Sequence, residues 1–249
     1  MKEVPFYLDW QFWSTVAAFS ALVLSQLPPL KLLFKKGVLT IEKHGTLFVH
    51  HTIGSPNMNL FVILKNIGGS NISVHSIDMN ITRKNSDSFL LKGRGYAMNP
   101  SDYNFTMLTP FEVGPNKTWA HTINFSELWD RAKQKEYKAI YSNIRDTITE
   151  KNRVDPPGIG ERHEADENDY KGICDLFEKN YKLIDGEYEA EILVKNKAGG
   201  IITRDLVKFT FFESELDELR LWLEDYKYGN SIHLPASLKQ LGVFVELSD

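Results

Sequence analysis

An uncharged stretch from Trp10 to Leu27, WQFWSTVAAFSALVLSQL, constrains this chain more than any other segment. No charge interrupts it before Lys31, and it runs on through Pro28 and Pro29 into LKLLFKK. A helix needs about 20 apolar residues to cross a hydrocarbon core. Aromatics gather at the front edge (Phe6, Tyr7, Trp10, Phe12, Trp13) and lysines at the back (Lys31, Lys35, Lys36), the arrangement of an interfacial belt with a basic cytoplasmic flank. The reading is a short N-terminus outside the membrane (1–9), then a single transmembrane helix and juxtamembrane segment (10–34). Its interface residues are Tyr7, Trp10, Trp13, Lys31, Lys35 and Lys36. Pro28 and Pro29 should end or kink the helix, leaving Leu30, Leu32, Leu33 and Phe34 to finish the crossing or lie along the interface. A cleaved signal peptide fits poorly, because Lys2 is offset by Glu3 and Asp9 and no small-x-small site comes after the apolar run. A buried core helix is the competing reading. Because the lysines come after the span, the expected orientation is N-terminus outside and main domain cytoplasmic, in the cell membrane.

Beyond Gly37 the chain has the texture of a folded domain. The 42% hydrophobic and 12% aromatic fractions are those of a globular chain. A net charge of -4 gives no electrostatic reason to bind nucleic acid. The single cysteine, Cys174, has no intramolecular disulfide partner, which suits a reducing compartment. Beside Asp175 its thiolate is disfavoured, so it is a poor nucleophile. Five glycosylation-acceptor tripeptides, beginning at Asn71, Asn80, Asn104, Asn116 and Asn124, point the other way. Strands rich in Thr with Asn at their turns generate such matches unaided.

Short apolar runs alternate with turn residues from Val38 to Phe125, the spacing of an all-β sandwich. Strands are expected over Val38–Lys43 and Leu47–Ile53, with a break at Gly54-Ser55-Pro56-Asn57. Asn59–Asn66 is apolar at successive positions and should be central, covered on both faces. In Ile72–Lys84 the alternation changes phase near His75-Ser76, implying a bulge or bend. Trp119, His121, Ile123 and Phe125 share one face. From Ser126 the pattern turns helical, with Ser126 as N-cap, Glu127 in the first turn, and an apolar stripe of Tyr137, Ile140, Tyr141, Ile144 and Ile148. An acidic exposed loop comes after Val154-Asp155-Pro156-Pro157. A hairpin over 185–212 turns at Ala198-Gly199-Gly200. A last helix with Ser214 as N-cap and a stripe of Leu216, Leu219, Leu223 and Tyr226 precedes LGVFVEL, a final strand or docked end.

Asp185-Gly186-Glu187-Tyr188-Glu189-Ala190 resembles the D-G-x-Y-x-A segment of immunoglobulin-like and fibronectin-type sandwiches, whose tyrosine starts a late strand and bonds back to the preceding corner. The stretch NLFVILKNIGGSNISVHSI looks like the N-x-G turn between early strands of bacterial immunoglobulin-like domains. The resemblance implies an immunoglobulin-like antiparallel β-sandwich over 38–212, with a helical insert at 126–184 and a C-terminal helix and tail at 213–249. The fold class is therefore mainly β behind a single transmembrane helix. By analogy it implies recognition or adhesion, although function must be argued from a site.

The sequence carries no catalytic signature. His50 and His51 are adjacent in a strand and face opposite sides, so they cannot chelate one metal together. His121 reads as a hydrogen-bonded core histidine. The richest cluster of metal-ligating side chains is His163, Glu164, Asp166, Glu167 and Asp169, with Glu161 beside it; it lacks the glycine-centred calcium-loop pattern and reads as a solvated acidic loop. Lys92-Gly93-Arg94-Gly95-Tyr96 reads as a turn with some capacity for an anion. No cofactor is expected. The stripe Tyr137, Ile140, Tyr141 and Ile144 either packs on the sandwich or is offered to a partner helix. The function expected is that of a membrane-anchored, non-enzymatic binding or assembly module, a subunit of a larger bacterial complex whose partners are the lipid bilayer and another protein. The alternatives are a membrane-tethered hydrolase or metal-dependent enzyme using the loop 161–169, and an outward-facing glycosylated receptor or adhesin.

Overall fold

Period-two alternation places one face of each run in a core, and in the computed structural model these runs pair into antiparallel ladders. The structure describes residues 10–26, 36–84, 88–98, 104–237 and 242–248. The strands are β1 (Leu39–Lys43), β2 (Thr46–Thr52), β3 (Ser55–Asn66), β4 (Ile72–Val74), β5 (Ser76–Arg83), β6 (Ser88–Ala97), β7 (Phe105–Met107), β8 (Phe111–Val113), β9 (Thr118–Ser126), β10 (Gly186–Lys195), β11 (Ile201–Phe211) and β12 (Val243–Glu246). The main sheet runs β11-β10-β5-β6-β9-β3-β2-β12, while β4 and β8 form a separate two-stranded ladder. Long β3 is bonded along one edge to β9. Along the other it pairs first with β2 and then with β1.

The sheet is curled. A register shift between Gly93 and Gly95 bends β6 where it passes from β5 to β9 and β7. At the far side Lys208 of β11 and Ser248 exchange backbone hydrogen bonds of 3.0 and 2.8 Å. Lys43 of β1 also reaches Asp205 of β11 at 2.7 Å. The result is mainly antiparallel β, compatible with a β-sandwich. Its core takes the inward rows, including Val62, Met79, Ile123, Ile192 and Val207. The phase change at His75 has a structural cause: β4 belongs to the small ladder and β5 to the large one, and the His75 N–H bonds Lys195 O at 2.8 Å. Tyr188 sits at the start of β10, donating to Ile184 O at 2.8 Å and accepting from the Ile184 N–H at 3.0 Å. This is the bond back to the preceding corner that its sequence context suggests.

Five helices are described: α1 (Trp10–Gln26), α2 (Arg131–Val154), α3 (Glu167–Asn180), α4 (Glu213–Arg220) and α5 (Trp222–Tyr226). Helices α2, α3 and α5 build a layer with its own core, containing Ile53, Ile144, Ile148, Ile173, Phe177, Trp222 and Tyr226, whereas α4 sends Leu216 and Leu219 into the core of the sheet.

The expected transmembrane helix is overturned. Among the described residues no helix is long and apolar enough to cross a membrane. Helix α1 has 17 residues, about 25 Å at 1.5 Å per residue, against a hydrocarbon core of about 30 Å. Polar side chains dilute it, and the Ser14 and Thr15 hydroxyls bond back to Gln11 O at 2.9 Å. Of the expected interface residues, Trp10, Trp13 and Lys36 are exposed. Tyr7, Lys31, Lys35, the segment 1–9 and the prolines at 28 and 29 lie outside the described residues.

Local readings also shift. Ser126 ends β9, and the N-cap of α2 is Asp130, whose carboxylate accepts from the Lys133 N–H at 2.8 Å. The last helix is capped at Phe212, whose N–H donates to Glu215 at 2.9 Å, so Ser214 lies within the first turn. Half of the acidic loop is helix: Glu167 and Asp169 form the first turn of α3, where carboxylates oppose the positive end of the helix dipole. Lys92–Tyr96 is a bulged strand. The break is only the two residues Ile53 and Gly54, since Ser55, Pro56 and Asn57 already belong to β3. Strand β3 is central, yet Phe61 and Ile63 on its outer face are only half-buried.

Candidate functional site

Two features stand out: a cleft at the end of the helical layer, and the exposed apolar surface of α1. The cleft, about 790 Å³, lies between Ile148 and Asn152 of α2, the loop through Glu161, Arg162 and His163, and the segment from Asp225 to Ser237. Its wall is held by side chains that bond one another. Buried Asn230 donates to Pro235 O at 3.0 Å and accepts from Arg162 at 3.1 Å. Buried Asp225 accepts from the Ser237 hydroxyl. The Arg162 guanidinium lies 5.9 Å from the centre of the Tyr228 ring.

The acidic residues singled out from sequence do not converge. Glu164 pairs with Lys227 at 3.1 Å and Asp166 with Lys151 at 2.9 Å. Asp169 accepts from Asn143 at 3.1 Å, and His163 donates from Nε2 to Asp155 O. Glu161 bonds the Gly158 N–H at 3.1 Å, and Glu167 lies exposed in the first turn of α3. Among the described residues no group of three or more His, Cys, Asp or Glu side chains could hold a metal ion. These carboxylates tie the crossing loop to α2 and to the chain after α5. Lys227 at Glu164 holds that carboxyl below the ordinary range, helped by Tyr228.

The stripe on α2 faces its own chain. Ile144 and Ile148 are buried, and Tyr137, Ile140 and Tyr141 are half-buried against the helical core, with α3 as the main neighbour. Cys174 sits half-buried on α3, its thiol pushed up first by burial and further by Asp175 and Glu178, despite a bond from Tyr170. His121 is half-buried, bonded to Ala97 O at 3.2 Å and ringed by Tyr96 and Trp119.

Residues that the sequence did not single out hold the layer to the sheet. The β2–β3 turn, Ile53 and Gly54, has φ of 45° and 79°, and such a two-residue turn suits the right-handed twist of a hairpin. It inserts into the helical layer, where Asn180 donates to Ile53 O at 3.0 Å. Glu127, between β9 and α2, accepts from Ser55 at 3.0 Å and pairs with Lys133 and Lys182 at 3.4 and 3.2 Å. Burial would raise its pKa, but the two ammonium groups outweigh burial and hold the carboxyl low. The available signal was Tyr170, Ile173, Leu176 and Phe177 at helical spacing, obscured by the acidic residues before them.

Helix α1 contrasts with all of this. Every side chain from Trp10 to Ser25 is exposed, with Trp10 at 82%, Phe19 at 67% and Leu22 at 62%. A helix apolar on all sides ordinarily has its surface covered by something. No protein-family model matches the chain, and no curated protein or solved structure matches it either.

Proposed function

We propose that this chain is a non-enzymatic binding or assembly module: an immunoglobulin-like sandwich with a helical layer, joined to a larger protein assembly through α1. The observation that carries the reading is the exposed apolar surface of α1, which the described residues leave uncovered. Ser14, Ala17, Ala18 and Ala21 leave room for another helix to approach closely, and Val16, Phe19 and Leu22 supply area to bury. The Tyr188 corner supports the immunoglobulin-like assignment. The acidic residues of 161–169 serve as struts, which favours binding over metal-dependent hydrolysis.

The test compares the full chain with a variant carrying Val16→Asp, Phe19→Asp and Val23→Asp. The wild type should co-purify with a protein partner or self-associate, and the variant should run as a monodisperse monomer with an unchanged circular dichroism spectrum. A wild type that is itself a monodisperse monomer, without detergent or partner, overturns the reading. Co-sedimentation with lipid vesicles, but with no protein, would replace the partner by a lipid surface.

A further inference from the structure

The sandwich, with α4 packed into it through Leu216 and Leu219, and the layer of α2, α3 and α5 have two cores that meet along a seam. At its centre is His51 of β2, 1% exposed. Its ring packs 5.0 Å from Phe177 and 6.4 Å from Tyr181, on and just after α3, and 4.4 Å from Trp222 of α5. Nε2 lies 2.9 Å from Leu219 O in α4, and a carbonyl only accepts, so Nε2 carries the hydrogen. Nδ1 faces the Gly54 N–H at 3.4 Å and must therefore be the acceptor. Both nitrogens are committed to the neutral ring. A second proton, on Nδ1, would set a donor against a donor in a place water does not reach.

The charges around the ring do not welcome a cation. On β2 the neighbour is His50, a second titratable group. On α4 it is Arg220, whose guanidinium lies 5.8 and 4.8 Å from the Phe177 and Tyr181 rings. Glu178 of α3 is engaged by Arg220 in two bonds of 2.6 and 3.1 Å. Asp217 of α4 acts on Tyr181, and α5 contributes Trp222. At the other end of the seam Glu127 is held by Lys133 and Lys182.

We propose that His51 is an acid-operated latch: when its ring gains a proton, α3 and α5 come off the sheet while the sandwich core, with Leu216 and Leu219 of α4 in it, stays assembled, uncovering an aromatic face made of Phe177, Tyr181 and Trp222. Burial pushes the docked ring down to about 4, from 6.5 in an open chain. The released state takes up the proton first, so docking is at full strength above about pH 6.5 and weakens as pH falls towards 4. Between pH 7 and pH 4.5 the docking equilibrium should weaken roughly 50-fold.

The experiment uses the full chain. Nitrogen NMR of labelled histidine should find His51 as the Nε2–H tautomer at pH 7, titrating below pH 5. Amide exchange, corrected for its intrinsic pH dependence, should accelerate over 167–180 and 222–226 between pH 6 and 4.5 while the shared strands β3, β5 and β10 stay protected. His51→Gln offers a donor and an acceptor but cannot titrate, so it should remove the acid step; His50→Gln should keep it. The proposal falls if His51 titrates near 6.5, or if strands and helices lose protection at the same pH. It falls equally if His50→Gln, rather than His51→Gln, abolishes the step. Should His51→Gln fail to fold, the wild-type titration and the regional exchange decide between the outcomes.

Discussion

In the sandwich, β3 is hydrogen-bonded along both edges and its inward row from Met58 to Leu64 is fully buried. Apart from α4, whose Leu216 and Leu219 lie in the sandwich core, the helical layer meets that sheet through a few side chains: His51 on Leu219 O, Asn180 on Ile53 O, and Glu127 among Ser55, Lys133 and Lys182. A ladder is redundant, because each rung repeats its neighbour and local damage is shared. A bolted seam is not, because each bolt has its own chemistry and its own way of failing. The two regions should therefore differ in how they respond to single substitutions and to solvent conditions.

The hardest blow to the helical layer is Phe177→Ala. Phe177 is fully buried and touches His51, Tyr181 and Tyr226. Its loss should cost about 3–5 kcal/mol in denaturant unfolding, with amide exchange rising first in α3 and α5. Equal loss of protection in β3 would erase the distinction between the regions.

Gly54→Ala comes next, since it strikes the seam from the sheet side. Its φ of 79° disfavours a side chain, and a Cβ would sit 2.2 Å from Phe177 O. The backbone conformation alone costs about 1–3 kcal/mol, and the collision should drive the turn off α3. A lower melting temperature with an intact β spectrum is the expected result; an unchanged melting temperature would show the turn to be loosely seated.

Tyr188→Phe probes the sandwich. It removes both bonds to Ile184 and keeps the ring stacked on Phe209 at 5.4 Å. The loss expected is about 1–2 kcal/mol, spread over global unfolding rather than confined to one helix. A measured change below a few tenths would mean that water replaces the corner bond.

The smallest effect belongs to Asp130→Ala at the start of α2, about 1 kcal/mol for a lost N-cap. Asp130→Ser should restore most of it. If alanine is neutral there, Ser126 or Glu127 has taken over the cap and the helix has lengthened towards β9.

The strands were readable because alternation is local: a residue's face is declared by its neighbours two positions away. The curl was not, since Lys208 finds Ser248 and Lys43 finds Asp205 only after the chain has folded. Helix starts were ambiguous where two good caps stood close together. Ser126 was taken instead by its pairing with Asn57 and Lys92, leaving Asp130 to begin α2. Helix α3 escaped notice because its first-turn carboxylates look like solvated loop, although Ile173, Leu176 and Phe177 carry the helical spacing. The opposite facing of His50 and His51 could be read from adjacency. The role of His51 could not, because Leu219 lies 168 positions along the chain. The apolar character of α1 was plain, but a membrane crossing demands length as well, and the described helix stops at Gln26.

Strand β2 pairs on its outer edge with β12, Val49 opposite Val243. A ribosome adding about 5–20 residues per second needs roughly 10–40 s to reach β12 after making β2. Throughout that interval the nascent chain presents an open β edge with Phe48 beside it, the kind of template on which neighbouring chains aggregate. Slow codons or a crowded polysome should therefore harm the yield of this protein more than its final stability would suggest, and a chaperone that shields an unpaired strand should help most during synthesis.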